Sequence, residues 1–140
     1  MSQEQYSYSA GAFFNEDDFE QSIIEHLSGK LGYEFLHGPN VPRTSDAYDD
    51  AFLPDIIEDA MARINPGKPR QAIKAAIKKL EGIEGGSLVK KNKIFMDMLQ
   101  CGAEVSFFDG KQDTNDIVYL FDFDNPEANE FHVVNQWTYV

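Results

Sequence analysis

In Ala103–Val140, AEVSFFDGKQDTNDIVYLFDFDNPEANEFHVVNQWTYV, apolar residues recur at every second position rather than every third or fourth. Ala103, Val105 and Phe107 alternate with Glu104 and Ser106, the period of a strand with one buried face. Asp109-Gly110 then opens a polar turn. Asp116–Phe123 reads as a second strand, with Ile117, Tyr119 and Phe121 on one face and Val118 and Leu120 on the other, a pattern that implies burial on both sides. Asp124-Asn125-Pro126 turns the chain, and Glu130–Tyr139 reads as a third strand. The expectation is a three-stranded antiparallel meander. Its apolar face of Phe131, Val133, Trp137 and Tyr139 runs up to Val140, so further chain is expected to belong in the same sheet.

Upstream of this stretch the period is helical. Asn15 suits an N-cap, Glu16, Asp17 and Asp18 place negative charge on a first turn, and Phe14 and Phe19 are spaced as a hydrophobic staple. A first helix over Glu16–Gly29 puts Phe19, Ile23, Ile24, Leu27 and Leu31 on one face. Gly32 and Tyr33 open a short extended stretch, and Gly38–Ser45 is a loop. A second helix is read over Ala51–Ile64, with Phe52, Leu53, Ile56, Ile57, Ala60 and Ile64 as its stripe. Asp50 serves as its cap, so that Pro54 falls in the first turn. A third over Pro69–Glu81 carries Ala72, Ile73, Ala76, Ile77 and Leu80 on one side. A fourth over Val89–Gln100 buries Phe95, Met98 and Leu99 and stops at Gly102. Residues 1–14, rich in Ser, Gln, Tyr and Gly without a period, read as a flexible arm. The class is α+β, about four helices followed by the meander.

The chain has 140 residues with 42% apolar content, enough for one ordinary core, and a net charge of −12. That charge is unevenly placed. Residues 1–60 hold 13 acids and 2 bases, residues 61–100 hold 3 acids and 9 bases, and residues 101–140 hold 8 acids and 1 base. The acidic blocks should repel free nucleic acid and anionic membranes, whereas the basic middle should not. The lone Cys101 cannot form an internal disulfide, no apolar h-region opens the chain, and no run of about 18 apolar residues exists. A cytoplasmic protein without a membrane span is expected.

Several chemistries fall away on pattern alone. No glycine-rich turn leads into Gly-Lys-Ser/Thr. Asp109, Asp113 and Asp116 have Lys111 at a calcium-ligand position and Thr114 where the loop needs glycine, so a solvated turn is expected. His26, His37 and His132 lack ligand spacing, and Cys101 reads as a buried structural thiol. Three features carry more. Glu20 falls within the apolar stripe of the first helix, where a carboxylate needs a partner or a task, and one task is to help position a divalent metal. Arg70, Lys74 and Lys78, with Lys79, Lys90, Lys91 and Lys93 nearby, could contact DNA phosphates or form a solvated face. Asp122 and Asp124 share one strand face and could be a paired acid site or the opening of a turn.

Together these patterns resemble the N-terminal domain of the R (restriction and motor) subunit of type I restriction enzymes. The resemblance rests on Asn15-Glu16-x-x-Phe19-Glu20 with Gly32-Tyr33, and on Asn92-Lys93-x-Phe95-x-x-Met98-Leu99-x-x-Gly102. It rests further on Leu120-x-Asp122-Phe123-Asp124-Asn125-Pro126-x-x-Asn129-x-Phe131-x-Val133-Val134-Asn135-Gln136, and it covers about residues 13–140. It implies a PD-(D/E)XK nuclease-like domain, in which a strand-borne Asp and a later Glu-x-Lys hold Mg²⁺ and activate water. In the family those residues follow the Asn-Gln strand. The expectation is therefore the truncated front part of such a domain, inactive alone, with neither Mg²⁺ nor ATP bound to it. Glu20 is then a metal-side acid, and Asn92, Asp122, Asp124, Asn125, Asn129, Asn135 and Gln136 are motif residues. The parent would use ATP and Mg²⁺ to translocate along and cleave unmodified DNA, with modification and specificity subunits as partners. The alternatives are a stand-alone acidic DNA mimic that inhibits a nuclease, and a structural docking domain.

Overall fold

The computed structural model describes residues 15–43 and 52–138. In chain order the elements are α1 (Glu16–Glu25), β1 (Glu34–His37), α2 (Pro54–Ile64), α3 (Arg70–Glu81), α4 (Leu88–Cys101), β2 (Ala103–Phe108), β3 (Asp113–Val118) and β4 (His132–Asn135). The class is α+β, as the periodicities require. The arm over residues 1–14, the Phe14 half of the staple and Tyr139 lie outside the described residues; α2 starts three residues later than expected and its N-cap is Leu53 rather than Asp50, because Pro54, which has no N–H to give, takes the first helical turn. The chain divides into two compact units, one holding α1, β1 and β4 and the other holding α2, α3, α4, β2 and β3.

In the first unit α1 begins where the sequence places it. Asn15 Oδ1 accepts from the Asp18 backbone N–H at 2.9 Å and Asp18 Oδ2 accepts from that of Asn15 at 3.3 Å, a reciprocal capping box. The helix continues as a wider π-helical turn over His26–Lys30, so the whole run matches the expected length. Of its apolar stripe only Ile24 is buried, while Phe19, Ile23 and Leu31 are exposed. The extended stretch after Gly32 becomes β1, which pairs in parallel with β4 in the register Glu34↔His132 to His37↔Asn135.

In the second unit Pro54 opens α2 within its first turn, and Ser87 caps α4 by accepting from the Lys90 N–H at 3.4 Å. The core gathers Met61, Ala72, Ile73, Ala76, Leu80, Met98, Ala103, Val105 and Val118, with α3 lying against β2. Complete burial of Ile73 and Val118 contributes about 1.5–3 kcal/mol each. On α2 the buried residue is Met61 rather than a member of the expected stripe, whose residues are half-buried. Cys101 is exposed, contrary to the reading as a buried thiol. The covered face of α4 runs through Phe95, Met98 and Leu99, and at ~100° per residue Cys101 falls off its edge.

The expected meander is not what forms. β2 and β3 make an antiparallel hairpin from Ala103↔Val118 to Phe108↔Asp113, but the third strand pairs with β1 instead. The hairpin ladder stops because other side chains take the next backbone groups. Asn65 Oδ1 accepts from the Tyr119 N–H at 2.8 Å, Asn65 Nδ2 donates to the Tyr119 carbonyl at 2.7 Å, and Asn129 Oδ1 accepts from the Asp122 N–H at 2.8 Å. β3 therefore ends at Val118 rather than Phe123. Among the described residues its Val118 side is the covered one; Ile117 and Tyr119 are exposed.

Candidate functional site

Glu20 projects from the middle of α1, half-buried, and forms no hydrogen bond or ion pair with any other described residue. It joins no cluster of three metal-ligating side chains among the described residues. A hard divalent cation takes several oxygen ligands, so Glu20 alone does not fit as a magnesium site. Asp122 and Asp124 do not complete one, because Asp122 is occupied in a turn.

That turn holds most of the family-motif residues together. Asp122 Oδ1 accepts from the backbone N–H groups of Asp124 at 3.1 Å and Asn125 at 2.9 Å. Asn129 closes it from the other side, its Nδ2 donating to the carbonyls of Asp122 at 2.8 Å and Pro126 at 3.1 Å. Arg63 on α2 anchors the far end, with Nε donating to the Ala128 carbonyl at 3.2 Å and a guanidinium nitrogen 3.0 Å from Glu130. Asp122 and Asn129 thus act as turn-formers, as Asx chemistry provides. Asp124 and Asn125 contribute backbone N–H groups, and Asn92 stands exposed on α4.

Asn135 and Gln136 close the parallel pair. Asn135 Oδ1 lies 2.9 Å from His37 Nδ1, and Gln136 adopts a positive φ of 49°. Gly38 is buried beside them, where a Cβ would approach the Gln136 carbonyl oxygen to 2.8 Å. Histidine spacing in sequence gave no hint of this contact, since its partners are 98 residues apart.

The basic residues differ in their surroundings. Arg70 reaches Asp59 at 3.3 Å and Glu58 at 3.5 Å on α2, and Lys93 pairs with Asp97 at 3.1 Å. Lys74, Lys78, Lys90 and Lys91 are exposed without an ion pair among the described residues. Two further contacts had no sequence signal. Lys79 Nζ donates to the Glu104 carbonyl at 2.7 Å, and Lys68 pairs with Asp116, whose carboxyl that pair and the Ile117 N–H hold below the usual carboxylate range. The calcium-like stretch forms a turn in which Asp109 Oδ1 accepts from the Lys111 N–H at 2.8 Å and the Gln112 N–H at 2.9 Å, donors that also lower its carboxyl below the usual range. The open groove of about 520 Å³ along Lys79, Glu104, Ser106, Asn115 and Asp116 carries both signs of charge and no convergent ligand set.

Known proteins align with most of the chain. An endonuclease subunit of the type I restriction enzyme HindI from Haemophilus influenzae is 28% identical over 127 residues, which is 87% of this chain. A Methanocaldococcus jannaschii protein named for the endonuclease subunit of type I restriction enzyme MjaIXP is 31% identical over 130 residues, 90% of the chain. In each case the match spans 12% of the relative's length. No solved structure is significantly similar. The model for the type I restriction enzyme R protein N terminus matches residues 13–140, a span that includes the capped α1, the Asp122–Asn129 turn and the Asn135-Gln136 strand end. The chain belongs to that family.

Proposed function

We propose that this chain forms the front part of the nuclease domain in a type I restriction R subunit. The longer protein would cleave unmodified DNA in the cytoplasm, using Mg²⁺ for cleavage and ATP for translocation, alongside modification and specificity subunits. The observation that carries the reading is the family match over residues 13–140; within it Asp122 and Asn129 bond to each other in a turn, and Asn135 separately holds His37, a local framework in each unit. By this reading the framework shapes the domain, while the metal-binding acids other than Glu20 come from chain beyond these residues. Lys74, Lys78, Lys90 and Lys91 are its best candidates for DNA phosphate contacts, because Arg70 and Lys93 are already paired with carboxylates.

The test is reconstitution of the full-length protein with its modification and specificity subunits. Unmodified circular DNA should be cut only with ATP and Mg²⁺. Deleting residues 15–138 should abolish cutting while DNA-stimulated ATP hydrolysis persists. Cutting that survives the deletion removes the nuclease assignment. If instead the isolated chain blocks DNA binding by a restriction enzyme at stoichiometric amounts, it is an acidic DNA mimic.

A further inference from the structure

Because β1 and β4 run parallel, their carboxyl ends lie side by side. His37 is the last residue of β1 and Asn135 the last of β4, and the two are register partners. A carboxamide oxygen only accepts, so the 2.9 Å contact to Asn135 Oδ1 requires the hydrogen on His37 Nδ1. The ring orientation is thereby set, and Nε2 is left for another partner. No other hydrogen bond reaches the half-buried ring from the described residues.

The surroundings are built for a fixed position. Strand alternation puts Phe35 and Val133 on the same sheet face as His37 and Asn135. Glu34 and His132 fall on the opposite face, where they approach each other to 3.8 Å, so neither carboxylate nor imidazole of that pair competes for His37. Gly38 packs so closely on Asn135 and Gln136 that a side chain cannot be added without backbone movement, and Gln136 accepts a left-handed backbone that non-glycine residues avoid. Strain of this kind persists where the surroundings impose it, and it clusters at functional positions.

We propose that His37, positioned by Asn135, contacts a phosphate oxygen of DNA through Nε2 when the longer protein engages its substrate. The inference rests on the nuclease reading for the identity of the phosphate. The protonated ring donates from both nitrogens, Nδ1–H to Asn135 and Nε2–H to the anion, a charge-assisted hydrogen bond in a preset direction. Asn135 is the positioning residue, because it acts through the ring rather than on the ligand.

Two measurements test this independently. In the first, the ¹⁵N-labelled chain is titrated with a short DNA duplex and, separately, with inorganic phosphate while the ring nitrogens are followed by NMR. His37 should show an Nδ1–H in the free chain and shift on adding duplex, with His26 and His132 moving far less. Asn135→Ala should weaken the His37 response about tenfold, and His37→Gln, which retains a donor, should bind duplex better than His37→Ala. Equal responses from all three histidines, no response of His37 to duplex, or a response to inorganic phosphate alone overturns the proposal. In the second, His37→Ala in the reconstituted enzyme should lower cleavage on the order of 100-fold while ATP hydrolysis is unchanged. Wild-type cleavage by that variant removes the role of His37 and leaves the nuclease reading intact. A wild-type enzyme that does not cleave removes the nuclease reading, and the NMR titration then decides the phosphate contact by itself.

Discussion

Asn65 is a buried amide whose side chain makes three hydrogen bonds: Nδ2 to the Met61 and Tyr119 carbonyls, each at 2.7 Å, and Oδ1 from the Tyr119 N–H at 2.8 Å. Asn65→Ala would remove the partners of both Tyr119 backbone groups, in part-buried hydrogen bonds, and the side-chain donor to the Met61 carbonyl. The expected loss is on the order of 3 kcal/mol, read as a lower urea midpoint; an unchanged midpoint contradicts the assigned role. Asp116 makes a different prediction at the same scale. Its pKa is depressed in the folded chain by Lys68, so the unfolded chain takes up the proton first as pH falls. The stability it contributes is present above the unfolded carboxylate value of about 4 and is lost as pH falls through the folded value. Wild type should therefore exceed Asp116→Asn in urea midpoint at pH 7, and the difference should shrink below about pH 4 and vanish in stronger acid. A difference independent of pH would show that the carboxylate charge is not the cause.

At the element scale the junction between α4 and β2 depends on Gly102, which has φ +86° and whose Cβ would meet Ile117 Cγ2 at 2.7 Å and the Val118 carbonyl at 3.1 Å. Gly102→Ala should cost more than about 1 kcal/mol, visible as a lowered thermal midpoint with both helix and hairpin signals vanishing together. A midpoint equal to wild type would place the strain elsewhere. Gly102 also marks how far the sequence could be read. The helices were legible because their determinants are local: Asn15 with Asp18, Pro54 in a first turn, and the Ala72, Ile73, Ala76 and Leu80 stripe that the structure buries. The strand partners were not, because their determinants are distant. The end of β3 is set by Asn65, 54 residues before Tyr119, and read locally Asn65-Pro66-Gly67 is only a helix stop. The Asp122–Asn129 motif was legible as a turn, whereas the use of Asn135 to hold His37 needed the parallel register.

For the whole molecule, the net charge of −12 conceals a basic middle block that the fold partly neutralises itself. Arg70 is spent on α2, Lys93 on Asp97 and Lys68 on Asp116, which leaves Lys74, Lys78, Lys90 and Lys91 available to anions. Replacing those four with Gln in the reconstituted enzyme should flatten the dependence of log K on log salt by up to about 0.9 for each phosphate no longer neutralised, whereas Arg70→Gln should leave the slope nearly unchanged. An unaltered slope in the fourfold variant would assign the block to solvation only. The parallel pairing of β1 with β4 also carries a timetable. Residue 37 finds its partner only after residue 135 has been made, and at ribosomal speeds of about 5–20 residues per second that delay is on the order of 5–20 s. Through that interval β1 is a strand-forming segment with no strand beside it, while the hairpin and helices between can already collapse around Ile73. The first strand translated is thus the last to be locked, and nascent chains should present it to chaperones or proteases until residue 135 has left the ribosome.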